Sequence, residues 1–95
     1  MKQLTLSPFQ QMIIRYLLQC GGQATELQLI GEFRRWRTRK ELGQIIASLV
    51  QSGLLEVERG LVKVTNRLDR RARKIIQGKV GPIVDEFHVI VHSGK

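Results

Sequence analysis

The sequence predicts a mainly helical α+β fold: a single domain of three helices, a two-stranded hairpin and a fourth, C-terminal helix, with a candidate extra strand beyond it. Three observations carry this reading. Ser7, Thr25 and Thr38 each stand three residues ahead of a glutamine or glutamate (Gln10, Gln28, Glu41), the spacing of a capping box. Behind each cap, apolar residues recur at helical spacing. Finally, β-prone residues between 54 and 65 flank Arg59-Gly60, the signature of a tight hairpin.

In chain order, residues 1–6 read as a short, extended lead. Pro8 follows the Ser7 cap at the first helical position, and Phe9, Ile13, Tyr16, Leu17 and Cys20 make the expected buried stripe, with Met12 flanking it. On that stripe, Cys20 reads as buried apolar filler. Gly21-Gly22 ends the helix. In the second helix Leu27, Ile30 and Phe33 are expected to point inward with Leu29 beside them, and Gly31 to permit a close approach. Residues 34–37, Arg-Arg-Trp-Arg, form the turn that follows. Trp36 reads either as a core-edge anchor or as a platform against sugar-phosphate, and its large area favours packing.

The third helix spans 38–52. Leu42, Ile45, Ile46 and Leu49 lie on one stripe at about 100° per residue, and Gly53 supplies the left-handed stop. The other face carries Lys40, Gly43, Gln44, Ala47, Ser48 and Gln51, small and polar. In the hairpin, Leu55 and Val57 alternate with Glu56 and Glu58, and Leu61, Val62 and Val64 face in with Lys63 outside. Residues 66–77 return to helical period, with Leu68, Ala72, Ile75 and Ile76 apolar among arginines and a lysine. Residues 78–82 break that helix. The segment 83–92 alternates as a strand would at Phe87, Val89 and Val91, although Pro82 and Asp85-Glu86 also suit a helix start; the strand is the favoured assignment. The chain thus divides into a domain at 1–77 and a tail at 78–95 that could pair with a second copy.

Charge is the strongest compositional clue. Sixteen Lys and Arg against eight Asp and Glu give a net charge of +8 over 95 residues, with a pI near 10.6. Five of the cations fall within 34–40 and six within 67–79. Clustering of this kind points to a polyanionic partner. The single cysteine cannot form an internal disulfide, and neither a signal-like run nor a membrane-length apolar stretch is present, so the chain reads as cytoplasmic. Asp85, His88 and His92 do not reproduce a metal-ligand spacing. Glycine pairs such as Gly21-Gly22 lack phosphate-loop spacing, and Cys20 has no base beside it. No catalytic residue, metal, cofactor or small-molecule ligand is therefore expected.

The order helix, helix, helix, hairpin, helix, with I-I-A-S-L-V-Q-S-G-L-L-E-V at 45–57 and L-V-K-V-T-N-R-L at 61–68, resembles the winged helix-turn-helix superfamily over residues 7–77. The resemblance implies double-stranded DNA binding, with the third helix in the major groove and the hairpin as a wing near the backbone. Carried over by position, Arg39, Lys40, Gly43, Gln44, Ala47, Ser48 and Gln51 would face DNA and Arg59 would occupy the wing tip. Arg35 and Arg37 would join Arg39 and Lys40 on phosphates. Gln44 could bridge adenine N6 and N7, while Arg39 or Lys40 could address guanine. Arg67, Arg70 and Arg71 would either extend the backbone contacts or belong to a solvated helix packed on a partner. A small transcriptional regulator acting as a homodimer is the expectation. The alternative is a winged-helix adaptor that docks its basic face on an acidic protein or on RNA.

Overall fold

The computed structural model describes residues 2–68, 70–77 and 87–91. Its elements run β1 (Lys2–Leu6), α1 (Pro8–Gln19), β2 (Gln23–Thr25), α2 (Glu26–Phe33), α3 (Arg39–Ser52), β3 (Leu55–Glu58), β4 (Leu61–Val64), α4 (Arg70–Gln77) and β5 (Phe87–Val91). This is a small α+β fold, richer in helix than in strand. All three expected capping boxes form, each with the hydroxyl accepting from the N–H three residues on and the Gln or Glu side chain accepting from the cap's own N–H. Each box satisfies two of the backbone donors that the first helical turn leaves free.

The hairpin turns at Arg59 and Gly60, with φ of 53° and 79°, so that both central residues are left-handed, as a primed two-residue turn requires. It pairs Glu58 with Leu61 and Leu55 with Val64. A strand that the sequence does not announce completes this sheet. β2 pairs with the outer edge of β4, giving an antiparallel order β2-β4-β3. Two flanking hydrogen bonds hold it there: Val64 N–H to the Gly22 carbonyl and Glu26 N–H to the Gly60 carbonyl, both 2.9 Å. The second bond ties the hairpin turn to the start of α2.

Within the lead, Lys2–Leu6 is extended, as is Phe87–Val91 in the tail, and the two find each other. β1 pairs antiparallel with β5 from Lys2↔Val91 to Leu6↔Phe87, a two-stranded ribbon separate from the other sheet. Residues 78–86 and 92–95 lie outside the described residues, and with them the expected helix break at 78–82 and the positions of Asp85 and His92.

The core gathers Ile13, Ile14, Leu17, Leu29, Leu42, Leu49, Leu54, Leu55 and Val62, each 1% exposed or less, around α1. Several expectations about it are corrected. The buried stripe of α1 runs through Ile13, Ile14, Leu17 and Leu18 and leaves Cys20 exposed. α1 is covered on more than one side, by β1, β2, β4 and α4, and this widens its apolar face toward Ile14 and Leu18. Cys20 is the helix's C-cap, beyond the last turn that packs. Phe9 and Tyr16 are partly buried against the core. Leu27 does not point inward; it is 74% exposed, because the faces at Leu29 and Phe33 are the ones that dock. Val57 lies outside at 39% exposure, since the inner position of that strand is held by Leu55. A Cβ at Gly31 would meet nothing within 4 Å, so no close approach depends on that glycine.

α4 begins at Arg70 rather than at residue 66. The residues between are occupied by a junction. Thr65 Oγ1 donates to the Gly53 carbonyl at 2.5 Å, and Thr65 N–H reaches the Leu54 carbonyl at 2.9 Å. Arg67 N–H in turn donates to Thr65 Oγ1 at 3.2 Å. The junction joins the end of α3, the end of β4 and the approach to α4.

Candidate nucleic-acid interface

The exposed face of α3 is the center of the candidate interface. Leu42, Ile46 and Leu49 are buried and Ile45 is partly so, which fixes the helix's rotation about its axis. That rotation turns Arg39, Lys40, Gly43, Gln44, Ala47, Ser48 and Gln51 outward, every one of them exposed. The N-terminus of α3 is held by Thr38 Oγ1 accepting from Glu41 N–H at 3.1 Å and by Glu41 Oε1 accepting from Thr38 N–H at 2.9 Å. These bonds from Thr38, with Arg37 nearby, hold the Glu41 carboxyl below its ordinary range of protonation. The other end is closed by Gly53 at φ 92°, with Leu54 N–H returning to the Leu49 carbonyl at 3.1 Å. Nothing lies within 4 Å of a Cβ built at Gly43, so the middle of this face is open.

Ahead of α3, all four residues of the turn, Arg34, Arg35, Trp36 and Arg37, are exposed. It is anchored from beneath by an aromatic cluster. The Phe33 ring, 3% exposed as a residue, meets Phe9 at 5.3 Å and Tyr16 at 5.8 Å, both edge to face. The Trp36 and Arg37 N–H groups donate to the Phe33 carbonyl at 3.0 and 3.1 Å. Arg37 also lays its guanidinium over the Phe9 ring, 4.7 Å from the centroid. Trp36 does not take the packing role its size favoured. It touches Phe33 at a tilt, with centroids 6.3 Å apart, and remains 54% exposed.

The second basic cluster is arranged differently. Arg70, Arg71 and Lys74 are exposed on α4. Arg73 Nη2 donates to the Thr65 carbonyl at 3.0 Å, and from α1 Arg15 Nε donates to the Ile76 carbonyl at 2.8 Å. The Arg67 side chain lies over Gly53, its Nη1 2.9 Å from where a Cβ would stand. The Arg15 contact places a cation at the C-terminal end of α4, where the helix dipole favours positive charge, whereas Arg73 is held at the end of β4.

On the hairpin, Arg59 is exposed at the tip. Glu58 is exposed as well and meets Lys63 at 3.9 Å, an ion pair too open to the solvent to contribute much. Between α2, α3 and β3 runs an open groove of about 580 Å³ with Ile30, Leu42, Ile46, Val50 and Val57 in its walls and Arg39 at its edge. Sequence reasoning missed this groove. Strand alternation places Val57 on the inner face with Leu55, and helical period assigns Val50 to neither face of α3; both are exposed in the groove.

Among the described residues no group of three metal-ligating side chains comes together, and no helix is long and apolar enough to cross a membrane. Neither a protein-family model, nor a curated protein, nor a solved structure matches the chain.

Proposed function

We propose that this chain is a winged helix-turn-helix that binds double-stranded DNA as a small cytoplasmic transcriptional regulator, with α3 in the major groove. The observation that carries the reading is the outward face of α3: seven slim or polar residues from Arg39 to Gln51, all exposed, opposite a buried Leu42–Ile46–Leu49 stripe. Such a helix is narrow enough for the roughly 12 Å major groove. Arg35, Arg37, Arg39 and Lys40 neutralise phosphates, and Gln44 reads a base edge. Arg59 at the hairpin tip reaches the neighbouring backbone, and the exposed Arg70 and Arg71 extend the contacts, whereas Arg67 is occupied beside Gly53. In a homodimer, a free edge of the β1–β5 ribbon pairs with its two-fold mate and the site is pseudo-palindromic.

The test is a titration of a mixed-sequence duplex at two salt concentrations. Duplex binding should weaken steeply with salt. Arg35→Ala should reduce the log–log slope by about 0.9, the contribution of one phosphate contact. Gln44→Ala should leave the slope alone and relax sequence preference. Absence of duplex binding at low salt overturns the proposal.

The groove beside α3 favours a second reading, an adaptor that takes an apolar segment of an acidic protein partner there. On that reading Val50→Asp abolishes partner binding and no duplex is bound at low salt.

A further inference from the structure

Trp36 is the chain's single tryptophan, and it is the residue that this fold treats least like a tryptophan. An indole normally stabilises a fold by burying its large area. Here the residue is 54% exposed, and the Phe33 contact is tilted at 54° rather than stacked. Yet its backbone is held firmly: the Trp36 N–H donates to the Phe33 carbonyl, and Arg37 Nη1 donates to the Trp36 carbonyl at 2.8 Å. The ring is thus presented on a braced turn.

Its surroundings define what would cover it. Arg34, Arg35 and Arg37 flank it, Arg39 and Lys40 follow, and no acidic residue occurs from 33 to 40. Tryptophan and arginine also serve protein interfaces, but five cations with no acidic residue among them call for a partner that brings an anion to several guanidinium groups at once. A nucleotide supplies both complements, an anion for the guanidinium groups and a π-face for the indole. Within an intact duplex the base faces are covered by one another, so the base that meets Trp36 must be unstacked.

We propose that Trp36 is a stacking platform for an unpaired base in a single-stranded stretch of DNA adjoining the duplex that α3 engages, with the exposed Arg34 on its phosphates. The platform rests on the DNA reading of α3 and adds to it a preference for a duplex–single-strand junction. Stacking is not ionic and tolerates every base, so this contact discriminates junctions rather than sequences.

The experiment compares three DNAs built on one duplex: blunt, with a thymine overhang of about four nucleotides, the lower end of the usual single-strand site size, and with the same overhang made of abasic sugars. The two overhangs carry equal charge and differ only in bases. For the unmodified protein, the base-bearing overhang should bind roughly tenfold more tightly than the abasic one, within the range of one stacked base. It should also quench the indole fluorescence, a signal that only Trp36 can give. Trp36→Ala should bring the ratio of the two affinities to near one, and Trp36→Phe should keep part of it. Equal binding of the two overhangs by the unmodified protein, or a ratio that survives Trp36→Ala, overturns the platform while leaving α3's role intact. Failure to bind any of the three, the blunt duplex included, overturns the DNA reading itself.

Discussion

The two arginine-rich segments look alike in sequence and are used differently by the fold. Residues 34–40 and 67–74 are both dense in cations. In the first, Arg34, Arg35, Arg39 and Lys40 are exposed, and the intramolecular contact of Arg37 is with an aromatic face and its neighbour's carbonyl. In the second, Arg67 covers Gly53 and Arg73 holds the Thr65 carbonyl, so part of the charge is committed to the junction between α3, β4 and α4. Clustered charge therefore points to an anionic partner, but part of it is spent within the chain, here on the Thr65 carbonyl at the end of β4. Only the three-dimensional arrangement separates charge offered outward from charge spent on joining elements.

This contrast can be broken most forcefully at the first segment. Replacing Arg35 and Lys40 together by alanine should weaken duplex binding on the order of fifty-fold at 0.1 M salt, as two lost counterion-releasing contacts imply, with no change in the thermal midpoint. At the second segment the expected effects fall on stability instead. Gly53→Ala forces an L-residue into the left-handed region at φ 92° and pushes a Cβ against the Arg67 side chain. It should cost about 1–2 kcal/mol in urea unfolding, and an equal loss from Gly31→Ala would contradict this account. Arg73→Ala should cost about 1 kcal/mol, the scale of one hydrogen bond from a half-exposed charged donor, while leaving the salt slope of DNA binding unmoved. A slope that flattened would reassign Arg73 to the outward group.

The smallest effect concerns the cap that carries the first segment into α3. The Thr38 hydrogen bonds depress the Glu41 carboxyl's pKa in the folded state. A depressed carboxylate stabilises the fold above its unfolded pKa, and that contribution is lost as pH falls through the folded value. The fully exposed cap should therefore weaken only in acid, below the ordinary carboxylate value of 4.5. Glu41→Gln should remove this slight acid dependence, measured as the difference in thermal midpoint between neutral and acidic buffer.

Much of the fold was legible because helix starts are local chemistry. Each capping box is four residues reading one another, so Ser7, Thr25 and Thr38 could be assigned without knowing what lay beyond them. The hairpin was equally local, needing only Arg59-Gly60 and its flanks. β2 was not legible, because Gln23-Ala24-Thr25 has no strand pattern of its own and is extended by the free edge of β4. Cys20 and Leu27 went wrong for a related reason. Periodicity ranks faces but cannot say which neighbours arrive, and α1 is covered from a wider arc than its stripe suggested. At the candidate interface, the exposed face of α3 followed from its buried one. The exposure of Trp36 did not, since it depends on Phe33 being already engaged by Phe9 and Tyr16.

The β1–β5 ribbon carries a kinetic consequence. Its pairs, from Lys2↔Val91 to Leu6↔Phe87, join segments separated by nearly the whole described chain, whereas the capping boxes and the β3–β4 hairpin join near neighbours. Closing so long a loop must be met by chain entropy before any pairing rewards it. The ribbon should thus form last, after the helices and the three-stranded sheet have condensed. Amides of β1 and β5 should then be the last to gain protection in pulse-labelled hydrogen exchange during refolding, and an early-protected ribbon would reverse that order.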